Sequence, residues 1–271
     1  VILIVAGSIL LMWIGELVTE FGIGNGVSIL IFAGIVASLP QTASQLAFAF
    51  TDPAQLPVYI GFLFVALAII YAVVVMTEAE RPVPITYAKQ VRGGKTYGGS
   101  QSYLPLRLNQ AGVIPIIFAL SILLFPQMVL NILSAFNLPW VPGAITKVNE
   151  VMSNQYFYGG AYFVLVFLFT FFYTAVTFDP DQISKNLQRN GAFIPGIRPG
   201  SHTSEYLGNL ITRLTLVGAG FLAMVAVLPV GMQLLTGVAS LAIGGTALLI
   251  VVSVVLDLIR RVDAQVSLRE Y

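Results

Sequence analysis

The chain has 271 residues, 57% hydrophobic and only 9% charged, with a mean hydropathy of +0.89. An ordinary soluble domain carries roughly a quarter charged residues, and a chain this poor in polar side chains has too little to cover its own surface in water. A soluble enzyme, a disordered tail and a free nucleic-acid binder are therefore set aside. The absence of Cys removes any disulfide frame, thiolate metal site or iron–sulfur cluster. What remains is an all-α polytopic membrane protein.

A bilayer core about 30 Å thick takes roughly 20 apolar residues as a helix. Seven such runs follow one another, at about 1–18, 27–48, 57–76, 111–135, 159–178, 209–233 and 238–257. They are too long for buried strands and lack the alternation of an outer-membrane barrel. The first run, VILIVAGSILLMWIGELV, starts without Met, without a basic flank and without a small-residue cleavage site. It therefore reads as part of a longer chain and not as a signal peptide. If the spans alternate, twelve of the thirteen Lys and Arg residues fall on one side and only Lys147 on the other. The positive-inside rule makes that side cytoplasmic.

Between the third and fourth runs, residues 77–108 form a basic, Gly-rich segment containing Arg81, Lys89, Arg92, Lys95 and Arg107. Alternation in PVPITYAK and KTYGGSQSY predicts a short β-hairpin around Gly93-Gly94. The segment reads either as topogenic charge or as a docking arm for an acidic or RNA-containing partner, with lipid head groups competing for the same cations. Residues 179–207 hold Lys185, Arg189 and Arg198. DQISKNLQRN predicts a short amphipathic helix, capped by Asp179 or Asp181 and ended by Gly191. In PGIRPG (195–200) two Pro-Gly pairs place Arg198 on a stiff turn. Whether that arginine has a specific role or is simply solvated stays open at this level.

Few residues offer chemistry. His202 stands alone, whereas a metal needs several converging donors. GIGNG (22–26) lacks dinucleotide-fingerprint spacing and reads as a helix-to-helix turn. Glu16 and Glu20 lie one helical turn apart beside it, where carboxylates reach water. No nucleophile–base pair is visible, which disfavours an enzyme. Ion-coupled transport would place ionisable groups at mid-membrane, but Glu16, Arg213 and Asp257 sit near span ends. In the fourth run, Asn109, Gly112 and Pro115 bring polar and helix-bending residues to the cytoplasmic entry. They read either as a packing kink or as a helix shaped to line a lateral opening.

Five motifs carry a resemblance to a known family: GIGNGVSILIFAGIVASLP (22–40), RLNQAGVIP (107–115), GAFIPGIRPG (191–200), TRLTLVGA (212–219) and GGTALLIVVSVVLD (244–257). In this order they resemble the SecY family, the channel-forming subunit of the bacterial Sec protein translocase. The resemblance runs along the whole chain but covers only helices four to ten of the family's ten. It implies a clam-shaped inverted-repeat channel. Residues 1–56 would be two helices of the truncated N-terminal half, 57–258 the second five-helix half with loops 77–108 and 179–207, and 259–271 a cytoplasmic tail.

The resemblance also implies a pore ring of Val27, Ile31, Ile117 and Ile250, and a gate-helix motif at Asn109, Gly112 and Pro115. Val27 stands where the family often has Ile. Arg198, Lys89, Arg92, Lys95, Lys185 and Arg189 would meet the SecA ATPase or the ribosome, although ERPVP (80–84) is more Pro-rich than the family pattern. SecE and SecG are the implied membrane partners, together with lipid, the secretory polypeptide with its signal sequence, and the missing N-terminal helices. No cofactor is implied, and the setting is the bacterial inner membrane. The alternative reading is a small-solute secondary transporter of inverted-repeat type.

Overall fold

The structure is a computed structural model that describes residues 2–22, 26–49, 56–87, 90–92, 95–97, 101–112, 114–136 and 139–236. Toward the C-terminus it describes 250–252, 254–256, 258–259, 262–263 and 266, all helical. The chain divides into two compact units, one of Val1–Val75 with Leu228–Tyr271, the other of Met76–Val227.

The first unit contains α1 (Ile2–Phe21), α2 (Gly26–Ala49) and most of α3 (Leu56–Glu78). Helices α1 and α2 pack against each other and are linked by one hydroxyl. Thr19 donates to the Gly15 carbonyl at 2.8 Å, and the Gly26 amide donates back to Thr19 Oγ1 at 2.8 Å. The start of α2 is thus capped from α1, satisfying one of the amides that a helix N-terminus leaves open.

The second unit is built around three helices, α4 (Ile114–Ser134), α5 (Val141–Ser153) and α6 (Gln155–Thr177). Helix α4 buries Pro115, Ile116, Ala119 and Leu123, and α6 buries Gly159, Tyr162, Val166, Thr170 and Thr174. Each set recurs every three to four residues, one helical face. The two threonines are satisfied within α6, Thr170 donating to the Val166 carbonyl at 2.7 Å and Thr174 to that of Thr170 at 2.8 Å. Such back-bonding makes a hydroxyl tolerable in an apolar span.

The same unit holds two small sheets. Strand β1 (Glu80–Tyr87) pairs antiparallel with β4 (Gln101–Arg107), while β2 (Gln90–Arg92) pairs with β3 (Lys95–Tyr97). Helix α7 (Pro180–Arg189) follows α6, and the two-residue strand β5 (Ala192–Phe193) then joins β1 to give the order β4-β1-β5. The long helix α8 (Ser201–Thr236) contributes its first part here.

Among the described residues, α1, α4, α6 and α8 are long and apolar enough to cross a membrane. The described apolar stretches of α2 and α3 are shorter, Ile29–Ser38 and Leu63–Glu78. Most of the seventh expected run, 238–249, lies outside the described residues. Helix α8 begins at Ser201, well before the apolar run expected from 209. Hydropathy marks what can enter lipid, whereas the helix itself continues to where its backbone bonds begin, at the Gly200 carbonyl that accepts from Ser204 at 3.2 Å.

Candidate functional site

The two polar loops are one folded head. Val83 and Leu106 from the first loop, Ile194 from the second, and Leu207, Leu210 and Ile211 from α8 form a single apolar core. Strand alternation explains the contribution of β1 and β4. Val83 and Ile85 point inward, whereas Pro82 and Pro84 point outward beside their cross-strand partners Pro105 and Tyr103. Glu80 and Arg107, opposite each other at the end of the ladder, form an exposed ion pair at 3.3 Å, which adds little stability in water.

The pairing expected of the hairpin is present in β2 and β3, with Arg92 opposite Lys95; Gly93 and Gly94 lie outside the described residues. Lys89 lies outside the described residues.

The expected amphipathic helix is α7. Asp179 is its N-cap, accepting from the amides of Asp181 at 2.9 Å and Gln182 at 3.2 Å, an arrangement worth about 1 kcal/mol. Gly191 ends it at φ +66°. Its inward residues are Ile183, Ser184 and Leu187, and Lys185 and Arg189 are exposed.

PGIRPG follows as a closed turn. Gly196 and Gly200 have φ of +84° and +104°, and the Ile197 amide donates to the Ile194 carbonyl at 3.1 Å. Ile197 packs against the head core while its neighbour Arg198 is exposed. The head therefore presents Lys185, Arg189 and Arg198 on a folded support.

Asn109, Gly112 and Pro115 form the passage from β4 into α4. Asn109 Oδ1 accepts from the Gly112 amide at 3.0 Å, and Asn109 Nδ2 donates to the Gly112 carbonyl at 3.3 Å. Gly112 has φ +62°, a conformation costly for residues with a Cβ. Pro115 sits in the first turn of α4, where its missing amide hydrogen costs no helical bond. A closed turn, then a Pro-started helix, accounts for this motif.

Of the aliphatic residues, Val27 and Ile31 lie one turn apart on α2. Val27 is 45% exposed, although it and Leu30 also pack over Gly15 of α1. Ile250 is helical and 8% exposed. These three belong to the first unit; Ile117, half-buried on α4, belongs to the second.

Two features escape the sequence reading. The β1–β4–β5 pairing joins loops that are far apart in the chain, so no local pattern announces it. Helix α5 has a visible signal, since Val141, Ala144, Ile145 and Val148 form an apolar stripe and Pro142 opens the helix. Gln127 of α4 donates to Asn149 of α5 at 3.2 Å. Around α5, the exposed Phe136, Trp140, Tyr156 and Phe157 mark the end of α4 and α6 away from the head. Aromatic side chains collect in this way where a membrane meets water.

Four membrane-length apolar helices among the described residues, with a small folded polar head in the second unit, define a polytopic helical membrane protein. The chain belongs to the SecY family, whose model matches residues 1–259. It is 42% identical over 271 residues to the protein translocase subunit SecY of Thermotoga maritima, covering 98% of this chain and 59% of that one. The corresponding subunit of Thermus thermophilus is 44% identical over 269 residues (98% and 60% covered), and that of Mycobacterium leprae 39% over 282 residues (100% and 62%). The chain thus spans about 60% of the length of the curated relatives it matches.

Two solved structures share the fold, each with a TM-score of 0.59 and each covering 94% of this chain. One concerns the plug domain of the SecY protein and the closed state of the translocation channel (19% identity, 63% of that chain). The other is described as a protein-conducting channel (18% identity, 62% of that chain).

Proposed function

We propose that this chain forms the larger part of the channel subunit of a protein translocase. That subunit passes unfolded polypeptides across the bacterial inner membrane and releases apolar segments sideways into lipid. The observation that carries this reading is the identity of about 40%, over nearly the whole chain, to proteins named protein translocase subunit SecY. The subunit hydrolyses nothing itself; translation, the SecA ATPase or the membrane potential supplies the energy. SecE and SecG are its membrane partners.

The head lies in the cytoplasm and receives the ribosome or SecA. Its exposed Lys185, Arg189 and Arg198, on a supported surface, suit phosphate and carboxylate partners. Val27, Ile31, Ile117 and Ile250 form the constriction. A narrow aliphatic collar holds few waters and resists ion leak by dewetting. It offers no hydrogen bonds to a passing chain, so it yields without selecting sequence.

The test is a stalled secretory chain in the complete membrane-embedded protein, with photo-crosslinkers at positions 117 and 250. Crosslinks to the nascent chain at these positions are expected; none at either would remove the collar assignment. Uptake of a defined small solute by proteoliposomes lacking ribosomes and SecA would instead favour a secondary transporter.

A further inference from the structure

Arg198 is exposed, yet the backbone around it is tied down from beneath by buried hydroxyls. Thr203, 2% exposed, donates from Oγ1 to the Arg198 carbonyl at 2.9 Å. Ser184 of α7, 3% exposed, donates to the Gly200 carbonyl at 2.6 Å. The same carbonyl accepts the Thr203 and Ser204 amides at 3.1 and 3.2 Å, and Ser204 donates to the Asp181 carboxylate.

Pro195 and Pro199 already stiffen the turn, and the apolar core already anchors it through Ile194 and Ile197. What the hydroxyls add is register. Thr203 sets the Arg198 peptide against α8. Ser184 and Asp181 set α7, which carries Lys185 and Arg189, against the same end of α8. A cation on a loose loop loses conformational freedom when it docks, and a preorganised backbone lowers that cost.

The geometry points to Ser184 and Thr203 as positioning residues that hold Arg198 in register with Lys185 and Arg189, so that all three cations meet one phosphate-bearing surface together. This inference rests on the reading of the head as a docking surface.

The experiment measures binding of purified ribosomes and of purified SecA to the complete protein in membranes. The variants are Thr203→Val, Thr203→Ser, Ser184→Ala and Arg198→Ala, and the first and third each combined with Arg198→Ala. Thr203→Val and Ser184→Ala are expected to weaken binding by about threefold to tenfold, the scale of one hydrogen bond. Thr203→Ser, which keeps the hydroxyl, restores binding. Neither hydroxyl loss weakens binding further once Arg198 is Ala, the signature of action through that side chain.

Equal losses with and without Arg198, or a lowered melting temperature with unchanged binding, would overturn the positioning role and leave the hydroxyls purely structural. If Arg198→Ala alone leaves both partners' binding unchanged, the docking reading itself falls and takes the positioning role with it.

Discussion

Thr86 of β1 and Phe193 of β5 are cross-strand partners, and Tyr87 pairs with Ala192 beside them. Between these strands the chain passes through α4, α5, α6 and α7. Two loops that leave the apolar region at different points therefore return to one sheet and one apolar core. Each loop alone is rich in Gly and Pro, with too few apolar side chains to offset the entropy of ordering it. Together with the start of α8 they bury enough to fold.

If the head is one cooperative body, Leu106→Ala loosens both loops at once. Leu106 is 1% exposed in the shared core, and its truncation is expected to cost the head about 2–4 kcal/mol. Hydrogen exchange should show protection falling together at 80–87 and at 192–193. Loss at the first segment alone would mean that the loops fold separately.

Gly218 of α8 packs directly on the backbone of Leu108, just before the turn into α4. A Cβ built there would overlap the Leu108 carbonyl oxygen, so even Gly218→Ala must push the two segments apart. A loss of about 1–3 kcal/mol is expected, as for other overpacked sites, and a larger one for Val. Melting temperature in detergent micelles is the measurement, with Gly220→Ala, where a Cβ meets nothing within 4 Å, as the control.

The Asn109 side-chain amide holds Gly112 at both ends, its oxygen accepting from the Gly112 amide and its nitrogen donating to the Gly112 carbonyl. Asn109→Ala removes both bonds and is expected to destabilise the entry to α4 by about 1–2 kcal/mol. Asn109→Asp keeps the acceptor for the Gly112 amide and places negative charge near a helix start, so it should recover at least half of the loss. Thermal unfolding of the three proteins ranks them; an Asp variant no better than Ala would remove the turn-closing role.

Arg198→Glu is expected to impair ribosome- or SecA-dependent translocation while leaving the melting temperature nearly unchanged, because exposed charges contribute little to stability. The wild-type interaction should weaken as salt is raised, since screening acts over roughly 8–10 Å near physiological ionic strength. Normal export by the Glu variant would take Arg198 out of the docking surface.

If Ile117 and Ile250 line the proposed constriction, replacing both with Asn wets it and raises ion conductance in planar bilayers. Unaltered conductance would mean that these residues pack elsewhere than the pore.

The class of the molecule and much of its local chemistry can be read along the chain. A membrane span must show a long apolar run whatever it packs against, so α1, α4 and α6 follow from their own residues. Asp179 caps α7 and Gly191 ends it, each through bonds or dihedral preferences spanning only a few residues, and β2 pairs with the nearby β3. Helix α5 was equally legible but shorter and less apolar than the pattern that marks a span. The motifs around Arg198 and Asn109 likewise point to their family by sequence alone.

Other relationships depend on the path of the chain through space. That β1 pairs with β5, that Leu106 and Leu207 share a core, and that Ser184 reaches the Gly200 carbonyl are facts about residues distant in sequence. No propensity or periodicity records them, because a strand edge or a hydroxyl accepts any suitable partner that the fold brings within reach. The run of apolar residues made this a membrane protein, and the loop arginine could be picked out by its motif. The folded head is what turns that arginine from a flexible charge into a positioned one.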